Sequence, residues 1–212
     1  MGLTVVIPTF NRRDVLKGLL DCLIKQTDKD FETIVVMDGC TDGTEEMLKS
    51  YKGLDLKWFD TGNKPEIFGT AKARNIGNKN AKYDIVLNKD DDSYPDENLI
   101  EEHKKTAKRG VLTSGARIPD TEEDVDNLNG KMVYLLNEYG NRIPRPLKGF
   151  VVMNNCCMYK VNWLHVPFNE SLERYGAIEV DCLNRLIQKN YMFQFNPEAK
   201  IVHLSKHKRK YI

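Results

Sequence analysis

Three consecutive aspartates, Asp90, Asp91 and Asp92, follow the apolar run YDIVLN and one lysine. Adjacent carboxylates repel one another, so such a run is costly unless a cation neutralises it or solvent surrounds it. Asp90 and Asp92 are two residues apart, and both could bind one hard cation, Mg²⁺ or Mn²⁺, together with substrate phosphates. The alternative is an acidic turn before a helix, where negative charge suits the helix N-terminus. The residues alone leave both interpretations open.

Two more polar clusters follow apolar runs in the same way. PTFN ends the first run, and MDGCTD ends the second. In parallel α/β sheets, ligands bind beyond the carboxyl ends of the strands, where such clusters meet. The sequence therefore predicts one crevice that gathers Thr9, Asn11, Asp38 and the aspartates around Asp90.

The elements that must position these residues alternate between strands and helices. LTVVIP is a predicted strand, and apolar residues at helical spacing follow from Asn11, which can cap that helix. The strands FETIVVMD, LKWF and YDIVLN follow, with helices in TDGTEEMLKSY, ARNIGNKNAK and PDENLIEEHKKTAKR, the last with Pro95 near its first turn. This alternation predicts right-handed βαβ units, hence an α/β fold with a mainly parallel central sheet flanked by helices.

The second half of the chain is less regular. Residues 118–150 are polar and contain three prolines, which predicts a long excursion rather than a separate domain. VVMNNCCMY is then a predicted strand, AIEVDCLNRLIQK a helix, and YMFQF and AKIVHL two further strands. His103, on a charged helix, is expected to be exposed.

Composition limits the class of protein. A chain of 212 residues with 41% apolar residues can form one domain with a sizeable core, which excludes disorder as the dominant state. No stretch approaches the roughly 18 to 20 apolar residues of a membrane span, and the first apolar run is too short for a secretory signal. Five cysteines, with Cys156 and Cys157 adjacent, suit neither a disulfide framework nor a metal-binding spacing. We expect reduced thiols and a cytoplasmic location, or peripheral attachment to a membrane.

The charge is unevenly distributed. The formal charge of +1 includes four positive charges in the last seven residues, 206–212, so the remainder carries −3. A basic tail beside a slightly acidic body favours a polyanion, such as a nucleic acid, or an anionic membrane surface as a neighbour. The alternative is a solvated chain terminus.

Four segments, in order, carry a resemblance to a known family: VVIPTFNRRDVLKGLLDCLIKQ, FETIVVMDGCTDGTEEML, GTAKARNIGNKNAK and YDIVLNKDDDSYPDENL. They resemble the nucleotide-sugar-binding half of GT-A glycosyltransferases, family 2 in particular, and the resemblance reappears in FNESLERYGAIEVDCLNRL and PEAKIVHL. It implies one GT-A, Rossmann-like domain over residues 1–212. This domain would comprise a nucleotide-sugar-binding half (1–115), an acceptor and catalytic half (116–205) and the basic tail (206–212).

The resemblance assigns donor-binding roles in the first half. Pro8, Thr9 and Asn11 match the turn that holds the nucleobase. Asp38 matches an aspartate expected at the uracil or ribose, and Arg74 matches a guanidinium that would neutralise the pyrophosphate. The residues implied to bind the nucleotide sugar are Pro8, Thr9, Asn11, Asp38, Arg74, Asn75, Asp90 and Asp91.

The resemblance also implies a metal site. Asp90 and Asp92 match the DxD pair of the family, and His203 matches a late histidine that completes the metal shell in many relatives. The implied cofactor is Mn²⁺ or Mg²⁺. Counting back from Pro95 would place the pair at Asn88 and Asp90 instead; we prefer the first register because it leaves two carboxylates on the ion.

A catalytic base is implied in YGAIEVDCLNRL. Alignment with the acidic motif of the family makes Glu179 the candidate base and Asp181 the alternate, although Ile178 stands where relatives have an acid. In an inverting transfer, such a carboxylate removes the acceptor hydroxyl proton as the oxygen attacks the anomeric carbon. Without the resemblance, the two acids would simply open a helix with favourable charge.

Residues near this motif could contact an acceptor. Trp163, His165 and Phe168 lie in a region that contacts acceptors in relatives, where aromatic rings could stack on a sugar. Core packing is the alternative for Phe168. Asn155 is a further candidate for an acceptor contact.

The expected function is metal-dependent, inverting transfer of a sugar from a nucleoside-diphosphate sugar, UDP-linked by default, to a hydroxyl of a glycan or lipid-linked precursor. One alternative is glycosylation of a modified DNA base, with the basic tail on the nucleic acid. Another is a sugar nucleotidyltransferase, although no glycine-rich loop follows the first strand. A third is a non-catalytic module that binds nucleotide sugars, which the unusual Ile178 and Lys89 make conceivable.

Overall fold

Eight strands and six helices make up the part of the chain that the computed structural model describes, residues 1–67, 69–119, 153–172 and 177–204. The strands are β1 (Leu3–Thr9), β2 (Phe31–Met37), β3 (Leu56–Asp60), β4 (Ile85–Lys89), β5 (Ser93–Pro95), β6 (Val111–Pro119), β7 (Asn155–Tyr159) and β8 (Met192–His203). The helices are α1 (Arg13–Ile24), α2 (Thr44–Ser50), α3 (Thr70–Asn80), α4 (Leu99–Thr106), α5 (Lys160–His165) and α6 (Ala177–Gln188).

The strands form one sheet in the order β3-β2-β1-β4-β7-β6-β8-β5. The first four strands of this order are mutually parallel, as the alternation of strands and helices predicts. Strand β7 is antiparallel to both β4 and β6, β8 is parallel to β6, and β5 is antiparallel to β8. The α/β class is confirmed, and the second half makes the sheet mixed.

Both faces of the central strands are covered. In β1, successive side chains point to opposite faces, so Val5 packs in one cluster and Val6 in another. The first cluster contains the leucines of α1, and the second contains Ile178 and Leu186 of α6. Strands buried on both faces read as continuous apolar runs, which explains LTVVI. Each fully buried leucine or isoleucine stabilises the fold by about 1.5 to 3 kcal/mol.

Two predicted helix starts are wrong. Helix α1 begins at Arg13, and Asn11 adopts a left-handed conformation with φ of 49° instead of capping it. Asparagine tolerates this conformation, and its Oδ1 accepts a hydrogen bond from the backbone N of Thr41 at 2.7 Å. Pro95 ends β5, and α4 begins only at Leu99, because β5 first pairs with β8.

The predicted strands YMFQF and AKIVHL are one strand, β8. Its pairing with β6 shifts in register between Gly115 and Ala116, so the irregularity interrupts the ladder without ending the strand. Beyond this shift, Pro119 pairs with His203.

No helix in the described ranges is long and apolar enough to cross a membrane. The predicted excursion at 118–150, from residue 120 onward, and the basic tail at 206–212 lie outside the described residues.

Candidate active site

The three polar clusters meet because β1, β2 and β4 are parallel neighbours that end at the same edge of the sheet. The backbone N of Asp38, after β2, donates to the carbonyl of Thr9 at 2.9 Å. The hydroxyl of Thr9, at the end of β1, donates to Asp91 Oδ2 at 2.8 Å. The structure therefore brings Thr9, Asp38 and the acidic run together, as the sequence predicts.

An arginine that the sequence analysis missed contacts two of the three aspartates in the acidic run. Arg12 Nη1 donates to Asp91 Oδ1 at 2.9 Å and to Asp92 Oδ2 at 2.6 Å. Burial raises the pKa of Asp91 to about 6, although the Arg12 guanidinium opposes that rise. The sequence did contain a signal for this contact, namely the first arginine in PTFNRRD. Strands β1 and β4 are parallel neighbours, so the turns that follow them lie next to each other.

Lys89 closes the turn that carries the aspartates. Its side chain is fully buried, and its ammonium donates to the backbone carbonyl of Ser93. Burial lowers the pKa of Lys89 to about 7, despite the nearby Asp90 and Asp92. The unusual residue at the end of β4 therefore has a local structural role.

Asp92 and His203 are the described residues best placed to hold a metal. Asp92 Oδ1 lies 3.6 Å from His203 Nε2, while Arg117 Nη2 lies 2.7 Å from His203 Nδ1. Within the described ranges, no three His, Cys, Asp or Glu side chains converge as a self-contained metal centre. A carboxylate and an imidazole fit a divalent ion that a ligand's phosphates also coordinate.

The alternative DxD register is disfavoured by the position of Asn88. This residue is fully buried in β4, and its Nδ2 donates to Asn78 Oδ1 of α3 at 3.0 Å. Asp90, by contrast, keeps 34% of its side chain exposed. The geometry therefore favours Asp90 and Asp92 over Asn88 and Asp90.

Arg74 joins two acidic residues from distant parts of the chain. Its Nη2 donates to Asp90 Oδ1 at 2.7 Å, and its Nη1 donates to Glu179 Oε1 at 3.2 Å. The guanidinium is 1% exposed and lies over the ring of Phe168, 5.2 Å from its centroid. Burial disfavours its charge, but the two carboxylates more than compensate, so the pKa of Arg74 is raised. In this structure Arg74 binds two protein carboxylates, whereas the resemblance implies a pyrophosphate contact.

Asn75 faces the second half of the chain. Its Nδ2 donates to the carbonyl of Phe168 at 2.9 Å and to Glu170 Oε1 at 2.8 Å, and its Oδ1 accepts from the backbone N of Phe168 at 2.9 Å. These bonds fasten α3 to residues 168–170. The structure does not bring Asn75 to the acidic run.

Glu179 and Asp181 differ in their surroundings. Glu179 Oε1 is bound to Arg74, while its Oε2 is buried and has no hydrogen-bond partner among the described residues. Asp181 Oδ2 accepts from Arg185 Nε at 2.8 Å, one turn further along α6. Among the described residues, the Arg74 side chain links Glu179 to Asp90, whereas Asp181 pairs with Arg185 of its own helix.

Asp38 anchors the segment between β3 and α3. Its Oδ1 accepts from Thr61 Oγ1 at 3.0 Å and from Asn63 Nδ2 at 2.9 Å, and its Oδ2 accepts from the backbone N of Gly69 at 2.7 Å. A Cβ on Gly69 would overlap both Asn63 and Asp38. Sequence reasoning missed these three partners, because no periodicity marks the segment.

The turn that is expected to hold the nucleobase begins in the buried strand β1. Pro8 lies within β1, opposite Val36 of β2, and is buried. Asn11 is exposed, and its bond to Thr41 joins this turn to the loop after β2.

Several expectations for other residues are wrong. His103 is buried, and its Nε2 lies 2.8 Å from Asn155 Oδ1; burial lowers the pKa of His103 to about 4. Asn155 is buried with it rather than facing an acceptor. Trp163 is 1% exposed, donates to the carbonyl of Val86 at 3.1 Å and stacks on Phe168, so both rings belong to the core, which for Phe168 is the alternative that the sequence offered.

Comparisons with known proteins agree with this architecture. The family model described as glycosyl transferase family 2 matches residues 4–166. The uncharacterised glycosyltransferase YfnE of Bacillus subtilis is 35% identical over 96% of this chain and 64% of its own length.

Two solved structures have similar folds. Residues 1–349 of TarS from Staphylococcus aureus, in complex with UDP-GlcNAc, give a TM-score of 0.68 at 19% identity, over 99% of this chain and 60% of that one. The mannosyltransferase PcManGT from Pyrobaculum calidifontis, in complex with GDP-Man and Mn²⁺, gives a TM-score of 0.69 at 22% identity, over 99% of this chain and 58% of that one.

The chain spans less than two thirds of each of these proteins, and 10% of the chondroitin synthase of Pasteurella multocida. The family model nevertheless covers most of the chain, and both structural neighbours cover nearly all of it. The chain therefore belongs to glycosyl transferase family 2 and has the GT-A fold.

Proposed function

We propose that this chain transfers a sugar from a nucleoside-diphosphate sugar, UDP-linked by default, to an acceptor hydroxyl, with inversion and with a divalent metal ion. The observation that carries the proposal is the chain of contacts from Asp90 through Arg74 to Glu179. It links a candidate donor site to a candidate base. TarS in complex with UDP-GlcNAc, and PcManGT in complex with GDP-Man and Mn²⁺, support this choice of donor and metal.

The donor would bind along the edge where β1, β2 and β4 end. The turn containing Pro8, Thr9 and Asn11 would hold the nucleobase against the segment that Asp38 anchors. Asp38 already accepts three hydrogen bonds from that segment, so its part is to fix the wall of the pocket.

Asp90, Asp92 and His203 would hold the metal beside the diphosphate. Carboxylate oxygens suit Mn²⁺ or Mg²⁺, the imidazole of His203 would add a nitrogen ligand, and the ligand's phosphate oxygens would complete the coordination. When bound, the ion stabilises the negative charge of the departing diphosphate. Without a cation, these acidic side chains would repel the donor.

Glu179 would act as the base. Arg74 holds its Oε1, and its buried Oε2, which has no hydrogen-bond partner among the described residues, would take the proton of the acceptor hydroxyl. The proton passes from the hydroxyl to this oxygen as the acceptor oxygen attacks the anomeric carbon. The bond from that carbon to the diphosphate breaks, and the diphosphate leaves with the electron pair. We take the acceptor to be a glycan or a lipid-linked precursor.

Replacement of Asp92 with Ala tests the metal site. The variant should lose Mn²⁺-dependent binding of UDP in calorimetry, and it should lose hydrolysis of UDP-sugars, because a ligand of the ion is gone. Asp55→Ala is the matched control, since Asp55 precedes β3 at the opposite edge of the sheet. If Asp92→Ala binds UDP as the wild type does, with and without metal, the DxD assignment is wrong.

A screen of donors and acceptors, read out by released nucleoside diphosphate, tests the reaction class. Release of UDP or GDP that depends on both a donor and an acceptor supports the proposal. Pyrophosphate release from UTP and a sugar phosphate would identify a nucleotidyltransferase instead. Donor binding without turnover would identify a binding module.

A further inference from the structure

Arg12 occupies the place of a cation between two carboxylates. One nitrogen, Nη1, is shared by Asp91 Oδ1 and Asp92 Oδ2, and 16% of the side chain is exposed. Its backbone is fixed as well, because the carbonyl of Arg12 accepts the first hydrogen bond of α1, from the N of Leu16 at 2.9 Å. The Arg12 guanidinium is therefore held in a defined position against Asp91 and Asp92.

The contact with Asp92 has a consequence for metal binding. Asp92 presents Oδ2 to Arg12 and Oδ1 towards His203 Nε2. An ion held by Asp92 and His203 would share one carboxylate with a guanidinium, and two cations this close repel each other. Arg12 and Arg74 already place two positive charges against the four carboxylates of Asp90, Asp91, Asp92 and Glu179, and Lys89 lies nearby.

We propose that Arg12 is a resident counter-cation that makes metal binding depend on the donor. In the free protein it weakens the binding of a divalent ion at Asp92. When a nucleoside diphosphate binds, its negative charge offsets the repulsion, and the ion binds tightly. Metal and donor thus bind as a pair. This inference rests on the proposed metal site and adds a role for Arg12, to which the resemblance assigns none.

Titration of Mn²⁺ alone into the full chain tests the inference, by calorimetry or by electron paramagnetic resonance of free Mn²⁺. The wild type should bind Mn²⁺ weakly, and UDP or GDP should tighten binding strongly. Arg12→Gln should bind Mn²⁺ alone about tenfold more tightly or better, and the nucleotide should add less. Arg12→Lys keeps the charge and should resemble the wild type. Arg13→Gln is the matched control, since the Arg13 guanidinium pairs with Asp14.

The results separate three cases. If Arg12→Gln binds Mn²⁺ alone no more tightly than the wild type, Arg12 only fastens α1 to the turn after β4, and the inference is overturned. If Arg12→Gln binds Mn²⁺ alone more tightly but neither nucleotide tightens wild-type binding, the role of Arg12 stands and the proposed donor fails. Should Arg12→Gln not fold, the charge-balanced pair Arg12→Gln with Asp91→Asn, compared with Asp91→Asn, makes the same test.

Discussion

Glu179 and Asp181 show how position decides the role of a residue. Both are carboxylates in the first turns of α6, and sequence alone ranks them only by resemblance. In the structure, Arg185 holds Asp181, while Arg74 connects Glu179 to Asp90. The contact with Arg74 spans 105 residues of sequence, so no local pattern could have revealed it.

The first residue-scale prediction concerns Glu179→Gln. The amide oxygen can still accept the bond from Arg74, but the side chain no longer takes a proton. We expect kcat for sugar transfer to fall by about 10²- to 10⁴-fold, with donor binding nearly unchanged in calorimetry. Asp181→Asn is the control and should turn over like the wild type. Normal turnover by Glu179→Gln would move the base elsewhere.

The acidic run shows both the success and the limit of sequence reasoning for single residues. The position of the run after a predicted strand was sufficient to predict that it lies beside the turn after β1. The cations that balance the run were not predictable in the same way. Arg12 was overlooked, and Arg74 was expected at a ligand, because the resemblance carries residue types but not the partners they choose in the free protein.

At the scale of elements, the buried Glu32 fastens the parallel strands together. It lies in β2, is fully buried, and accepts bonds from Thr4 of β1, from Lys57 of β3 and from the backbone N of Lys82 before β4. Burial raises the pKa of Glu32, but these bonds outweigh it and hold the pKa below its usual range. A charged residue inside a sheet is stable here because three other segments donate hydrogen bonds to it.

Glu32→Gln should therefore lower the free energy of unfolding by about 1 to 3 kcal/mol at pH 7, as measured by urea denaturation. Because the pKa of Glu32 is lowered in the folded state, its negative charge stabilises the fold above the ordinary glutamate pKa of about 4.3. This stabilisation is lost as the pH falls further. The difference in the free energy of unfolding between the wild type and Glu32→Gln should therefore become smaller below that pH. Glu45→Gln, in an exposed pair with Lys49, should cost little. An equal, pH-independent loss in both variants would contradict this account.

Most elements of the first half were predictable because they have a clear period and a breaker at their end. The errors fall where tertiary pairing overrides local signals. Pro95 reads as a helix start but pairs in β5, and β8 reads as two strands because its ladder with β6 is irregular. The pairing of a strand with a distant partner cannot be read from the spacing of apolar residues within that strand.

At the scale of the whole molecule, one buried pair joins the two halves of the chain. His103 of α4 contacts Asn155 of β7, and Asn155 donates to the carbonyls of Ala199 at 2.9 Å and Ala116 at 3.3 Å. A Cβ on Gly115 would overlap both Asn155 and Ala199. This network explains why a histidine on a charged helix is buried: its ring satisfies an amide that holds the register shift of β6 and β8.

His103 should make the whole fold sensitive to mild acid. Burial lowers its pKa to about 4, whereas an unfolded chain protonates histidine near pH 6.5. Between these pH values His103 is protonated in the unfolded state but neutral in the folded state. The free energy of unfolding therefore decreases as the pH falls, by up to about 3 kcal/mol.

Urea denaturation between pH 7.5 and pH 4 checks this, with His103→Gln as the comparison. The variant can keep a bond to Asn155 and should lose stability less steeply over this range; the values at pH 7.5 give the cost of the substitution itself. Asp91, whose raised pKa acts in the opposite direction, is present in both chains and cancels. Parallel slopes in the two chains would show that His103 does not titrate on unfolding.

The contact of Arg74 with both Asp90 and Glu179 also orders events during synthesis. The residues proposed to bind the donor emerge from the ribosome with β1 to β4, while Glu179 follows almost ninety positions after Asp90. Domains tend to fold as they are made, from the N-terminus onward. A nascent chain that has formed only the parallel half can hold Arg74 against Asp90, but it lacks the candidate base. Unfinished or truncated chains would lack both Glu179 and His203, so the proposed base and the proposed metal site are complete only after β8 has been made.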